Sequence, residues 1–276
     1  MDTIIKISDF KNTAILPRLH EPYYFIVLID GNATFSLDFN TYTIQGKNIL
    51  FLSPYQLLNW ESTNIKKMNF LQFHGDFYCI EYHKAEVACN GILFNNIYEK
   101  PYITIDAIFH TEISTLFNKI REIENTVTNY DQSILRSYLQ LILALCSKEK
   151  QIENKHLETP GPKSNGLNFK TLLDTDYSAS KSVSHYADQY GLSVNAFSKK
   201  VKKQYGKTPS KLIQERLILE AKKLLHLTYK SVKEVSVTLG FEDEFYFSRF
   251  FKKEVGVSPK TFRDKVGISI VANKSM

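Results

Sequence analysis

The sequence predicts a two-domain α+β protein: an antiparallel β-barrel carrying a helical hairpin, then an all-α domain with two helix-turn-helix motifs joined by a linker helix. Three observations predict it. Apolar residues alternate with period two through the first ~100 residues. The period lengthens to that of a helix from about Asp106 onward, and the last third contains an internal repeat of about fifty residues. A chain of 276 residues suits two domains. With 43% hydrophobic and 23% charged residues it has material for two cores, which excludes extensive disorder.

The strands come first. Tyr23 to Ile29 is an apolar run closed by Asp30-Gly31-Asn32, which reads as a hairpin turn. Ala33 to Phe39 alternates like a half-buried strand. Thr41 to Ile44, Ile49 to Leu52 and Met68 to Phe73 continue the series, and short strands at this spacing suggest a barrel or sandwich. Next, Ile113, Leu116, Phe117, Ile120 and Ile123 form one helical stripe, and Ile134, Leu135, Tyr138, Leu139, Ile142 and Leu145 form another. The two make a helical hairpin that either packs on the barrel or pairs with a second subunit. Gln151 to Gly166 holds Pro160-Gly161-Pro162 and little to bury, so it reads as a linker. The expected limits are residues 1–150 for a sensor or dimerisation domain, 151–166 for the linker, 167–266 for the helical domain and 267–276 for a tail.

From Phe197 to Pro209 the chain repeats at an offset of 50: Phe197 with Phe247, Ser198 with Ser248, Lys199 with Arg249, Lys202 with Lys252, Gly206 with Gly256, Pro209 with Pro259. The preceding glycines, 191 and 240, are offset by 49, so the second turn is one residue longer. In each copy a short helix ends at a glycine that can adopt positive φ. Ser231 and Glu234 form a capping box for the second short helix. Phe197 with Val201, and Phe247 with Phe251, anchor the following helix inward. Asn195, Ser198, Lys199 and Lys202, and Phe245, Ser248, Arg249 and Lys252, are then left outward at i, i+3, i+4 and i+7. Between the copies, Pro209 to Leu225 reads as one helix capped by Thr208, a strut of about 24 Å.

Charge follows the same division. Residues 1–162 hold 14 Lys and Arg against 18 Asp and Glu, a balance of −4; residues 163–276 hold 21 against 11, a balance of +10. A basic half with two helix-turn-helix units is expected to meet double-stranded DNA. Lys199 and Arg249 are placed to approach bases, Arg249 with the fork that matches guanine. Lys202 and Lys252, a turn later, suit phosphates. Phe245 either touches a thymine methyl or packs, and Glu244 suits the helix N-terminus.

The run Arg216-Leu217, Ala221, Leu224-Leu225, Val235, Leu239-Gly240-Phe241, Tyr246 to Lys253, Gly256 to Pro259 and Phe262-Arg263 resembles the AraC/XylS family of bacterial transcription regulators. The resemblance covers about Asn168 to Arg263 closely. The N-terminal half is similar in architecture to the cupin-like sensor domain that many members carry. Ser236 departs from the family's usual alanine and Val201 from its usual phenylalanine. The resemblance implies an activator, RNA polymerase as a partner, and a barrel that senses a small-molecule effector or forms a homodimer.

Other chemistry is sparse. Cys79, His83 and Cys89, with His74 nearby, match none of the strong zinc spacings, so no metal and no cofactor are expected. The absence of His-x-His argues against the rival reading, a cupin-type metal-dependent enzyme with a DNA-binding appendage. No phosphate-binding glycine loop or nucleophile elbow occurs, so no catalytic residues are expected. Three cysteines give no disulfide framework. The first residues lead into no long apolar segment, and the longest apolar runs fall well short of the ~20 residues of a membrane helix. A cytoplasmic protein away from the membrane is expected.

Overall fold

The computed structural model describes residues 5–10, 19–38, 40–78, 92–94, 97–98, 100–124, 128–157 and 167–266. Contacts divide the chain into two units, residues 1–96 with 100–158, and residues 97–99 with 159–276.

The first unit is a six-stranded antiparallel sheet with a helical hairpin. Its strands are β1 (Ile5–Phe10), β2 (Tyr24–Leu37), β3 (Asn40–Ile44), β4 (Lys47–Leu52), β5 (Leu58–Phe73) and β6 (Tyr102–Thr104). They lie in the order β1-β5-β2-β4-β6, with β3 also on β2. Two expectations are corrected here. Asp30-Gly31-Asn32 is not a turn, because β2 runs straight through it with a register shift against β5 between Asp30 and Gly31. Gly31 has φ of 144°, and a Cβ there would stand 2.5 Å from the Asn64 carbonyl oxygen and 2.6 Å from the Ile65 Cα. The glycine therefore marks a bulge where two backbones approach, not a reversal. Asn32 instead serves the true turn nearby, its Oδ1 accepting from the Gly46 N–H at 3.1 Å.

The second correction concerns the barrel. Among the described residues the sheet does not close: β1, β3 and β6 are edge strands, and β6 has three residues that pair only with β4. Helices cover one face of the open sheet. Along β2, Tyr24, Ile26 and Leu28 face one core, which α1 (Ala107–Ile123) and α2 (Asn129–Leu157) complete with Ile113, Phe117, Ile120, Leu135, Leu139 and Ile142. Phe25, Val27 and Ile29 face a second core with Ala33, Phe35 and Leu37 from the far side of the bulge. Burial on both faces explains why Tyr24 to Ile29 is apolar at every position. Asp106 caps α1, its carboxylate accepting from the Phe109 N–H at 2.7 Å.

The hairpin's second stripe divides. Leu135, Leu139 and Ile142 are buried within the unit, whereas Tyr130, Ile134, Leu141 and Ile152 are exposed. These four, at i, i+4, i+11 and i+22, share one face of α2. The helix also continues to Leu157, into the stretch whose composition reads as linker.

The second unit is helical: α3 (Phe169–Asp176), α4 (Val183–Gln189), α5 (Val194–Tyr205), α6 (Pro209–Leu227), α7 (Val232–Thr238), α8 (Glu244–Val255) and α9 (Pro259–Val266). Thr208 caps α6 and Pro209 opens it. Leu212, Ile213, Leu217, Ala221 and Leu225 are its buried stripe, with Leu225 in the place expected for Leu224. Ile97 and Tyr98 belong to this unit, where Lys207 Nζ donates to the Ile97 carbonyl at 2.9 Å.

Candidate nucleic-acid interface

Each copy of the repeat is a helix, a glycine turn and a second helix. In the first turn the Gly191 N–H donates to Asp188 O and the Leu192 N–H to Ala187 O, both at 3.0 Å; in the second the Gly240 N–H donates to Val237 O and the Phe241 N–H to Ser236 O, both at 2.9 Å. These paired bonds close a Schellman motif, whose left-handed position only glycine occupies without steric cost. The two glycines have φ of 60° and 69°. Ser236, which is buried, satisfies its hydroxyl by donating to Lys233 O at 2.8 Å.

The helices that follow, α5 and α8, end alike. Gly206 and Gly256 are left-handed, and their N–H groups donate to Lys202 O and Lys252 O. At the start of α5, Ser193 Oγ accepts from the Ala196 N–H at 3.3 Å; at the start of α8 the Asp243 carboxylate accepts from the Tyr246 N–H. Capping at both ends and full burial of Phe197, Val201, Phe247 and Phe251 fix how each helix is rotated. Burying a side chain of this kind stabilises by roughly 1.5–3 kcal/mol, so rotation that exposed the anchors would be costly.

The rotation puts the expected residues outward. Asn195, Lys199 and Lys202 are exposed on α5 and Ser198 is half-buried; on α8, Phe245, Arg249 and Lys252 are exposed and Ser248 is half-buried. Phe245 keeps 71% of its surface open, so it does not serve the core. Glu244 lies in the first turn of α8, where its charge complements the helix dipole.

Several other cations of the unit are held in ion pairs. Lys207 pairs with Glu215 at 2.7 Å, Lys211 with Glu254 at 3.0 Å, and Arg216 with Asp174 at 2.8 Å and Glu220 at 3.0 Å. The two hydrogen-bonded carboxylates hold the Arg216 pKa above its ordinary value although burial works the other way. Lys199, Lys202, Arg249 and Lys252 pair with no carboxylate among the described residues. Outward, unneutralised cations on the second helix of each motif can meet phosphates and base edges.

No group of three or more His, Cys, Asp or Glu side chains among the described residues could hold a metal. Cys79, His83 and Cys89 lie outside them. His74 is engaged with Asp76 at 3.3 Å.

Residues 186–265 match a family described as a helix-turn-helix domain. Among curated relatives, the HTH-type transcriptional activator RhaS of Escherichia fergusonii is 25% identical over 90% of this chain and 87% of its own length. RhaS of Shigella dysenteriae serotype 1 is 23% identical over 95% and 92%. Among solved structures, ToxT of Vibrio cholerae is 15% identical and aligns over 95% of this chain and 98% of that one, with a TM-score of 0.41. Domain, repeat and relatives together define a DNA-binding transcription regulator. The chain is similar to regulators of the AraC/XylS family.

Proposed function

We propose that α5 and α8 each enter the major groove of duplex DNA and that the chain is a sequence-specific activator. The observation that carries this is the duplicated reading helix, whose outward cations are left unneutralised while Lys207, Lys211 and Arg216 are paired. Lys199 and Arg249 contact bases, Lys202 and Lys252 contact phosphates, and Phe245 meets a thymine methyl group. Asn195, Ser198 and Ser248 supply the remaining polar contacts. The DNA-binding domain is residues 167–266, reached through a linker within residues 151–166. Activation follows the relatives, which are named activators, and RNA polymerase as partner follows the family resemblance.

The N-terminal unit, residues 1–150, senses a small-molecule effector or forms a homodimer. The exposed Tyr130, Ile134, Leu141 and Ile152 on α2 support the dimer, because an apolar seam along one helix face matches a second copy of itself. The protein acts by binding, without catalysis, in the cytoplasm; no helix among the described residues is long and apolar enough to cross a membrane.

The test is selection from a randomised duplex pool by the full-length chain. It should enrich one sequence, with log affinity falling linearly and steeply against log salt concentration. A chain that enriches nothing, or binds without salt dependence, contradicts the proposal.

A further inference from the structure

Gly191 and Gly240 make the same turn in different surroundings. A Cβ on Gly191 would meet nothing within 4 Å, whereas one on Gly240 would collide with the carbonyl oxygen of Ser178. Ser178 lies between α3 and α4, in the first reading unit, while Gly240 is the pivot of the second. Lys181, from the same connection, donates to the Gly240 carbonyl, and its ammonium stands 4.3 Å from the centre of the Phe241 ring. Burial lowers the Lys181 pKa from its ordinary value, against the raising effect of Glu242. A desolvated cation over an aromatic face is held more strongly than an exposed one.

The connection is fastened on its other sides as well. Tyr186 Oη donates to Ser180 O at 2.9 Å, and His185 meets Asp176 at 3.2 Å. The Arg216 guanidinium of α6 lies 4.0 Å from the Tyr177 ring centre. From these points the packing leads to both reading helices. Tyr186 packs on Phe169, which packs on Phe197 of α5; Phe241 packs on Phe247 and Phe250 of α8. The strut α6 would leave the two units joined end to end through one helix. This connection joins them a second time, directly.

We propose that the connection from Tyr177 to Lys181 is a brace that fixes the separation and tilt of α5 and α8, with Lys181 as its positioning residue. The chain then accepts one spacing of its two DNA subsites and rejects others. This rests on the DNA reading proposed above. One added base pair moves a subsite by about 3.4 Å and turns it by about 35°. A braced pair of helices cannot follow that displacement, whereas an unbraced pair can.

Full-length wild type, Lys181→Arg, Lys181→Met and Lys181→Ala would be titrated against the duplex that the wild type enriches from a randomised pool. The same duplex with one base pair inserted or deleted between its subsites completes the set. Wild type and Lys181→Arg should lose about 30-fold or more on either change, a loss in the range of a mismatched contact. Lys181→Met and Lys181→Ala should bind the original duplex within about fivefold of wild type and lose less than about fivefold when the spacing changes. Should Lys181→Ala not fold, as judged by its circular dichroism, the contrast between Lys181→Met and Lys181→Arg decides. A wild-type spacing penalty in folded Lys181→Met overturns the brace and leaves the DNA reading standing. A pool that yields no enriched sequence overturns both.

Discussion

The two helix-turn-helix units share a backbone but fill their cores from different places. In the second, Phe247 and Phe251 of α8 lie 6.0 Å apart, and Phe251 meets Phe262 of α9 at 5.6 Å. In the first, the position of Phe251 is taken by Val201, and the missing ring comes from Phe169 of α3, 5.3 Å from Phe197. Tyr190 stacks on Phe197 from the other side at 5.8 Å. The repeat thus resides in what shapes the backbone, the glycines and caps, while the filling is free to come from any neighbouring helix. A one-residue change of register, by contrast, would move every outward side chain by about 100° around the helix.

The largest effects should come from these fillers. Phe251→Ala is expected to cost about 3–5 kcal/mol, and Phe169→Ala a similar amount, whereas Val201→Ala should cost clearly less. Chemical denaturation of the full chain measures all three. Equal losses for Val201→Ala and Phe251→Ala would mean that the first unit does not depend on α3.

The turns sharpen the comparison at a smaller scale. Gly191→Ala meets only the penalty of a left-handed non-glycine residue, about 1–2 kcal/mol. Gly240→Ala adds a collision with Ser178 and should cost about 2–4 kcal/mol in total. Melting curves that rank the two variants the other way would contradict the close approach. Smaller again are the caps of α4 and α7. Ser231 takes part in a reciprocal capping box with Glu234, while Ser182 only accepts from the Ser184 N–H at 3.2 Å. Ser231→Ala should lose about 1 kcal/mol and Ser182→Ala less, read from the same denaturation experiment.

On the DNA-reading side, most of the arrangement was legible in the sequence. The fifty-residue offset located both motifs, and the spacing of Phe197, Val201, Phe247 and Phe251 told inward from outward because a helix leaves no other choice once four anchors are buried. The brace was not legible. Lys181 and Ser178 lie in a connection with no pattern, and their partner is about sixty residues away, so only the folded chain brings them together. One trace existed, the offset of 49 rather than 50 between the glycines, which showed that the two turns differ.

The N-terminal half was less legible. Its strands were placed by alternation, but Asp30-Gly31-Asn32 has the composition of a hairpin and the role of a bulge. A glycine permits a reversal or a close backbone approach equally well, and sequence does not separate the two. Alternation shows which residues face a core but not whether the sheet closes, and here helices cover one face of an open sheet. The hairpin stripe likewise mixed two purposes. Leu139 is intramolecular core and Leu141 is exposed, so Leu141→Lys tests the dimer: sedimentation should shift the full chain toward monomer without loss of fold. A wild-type chain that is already monomeric at high concentration contradicts that pairing.

The proposed division of labour gives α5 and α8 each a base-facing cation and a phosphate-facing one. It is tested most directly by titrating wild type, Arg249→Ala, Lys252→Ala, Lys199→Ala and Lys202→Ala against the selected duplex and a random one at two salt concentrations. Arg249→Ala should cost about 1–3 kcal/mol on the selected duplex only and relax preference at one base position. Lys252→Ala should weaken both duplexes alike and flatten the salt slope by about one unit. Lys199 and Lys202 should repeat the contrast more weakly, an ammonium being a poorer match to guanine than a guanidinium fork. If Arg249→Ala weakens both duplexes equally, it contacts phosphate, and the assignment of the reading face is wrong.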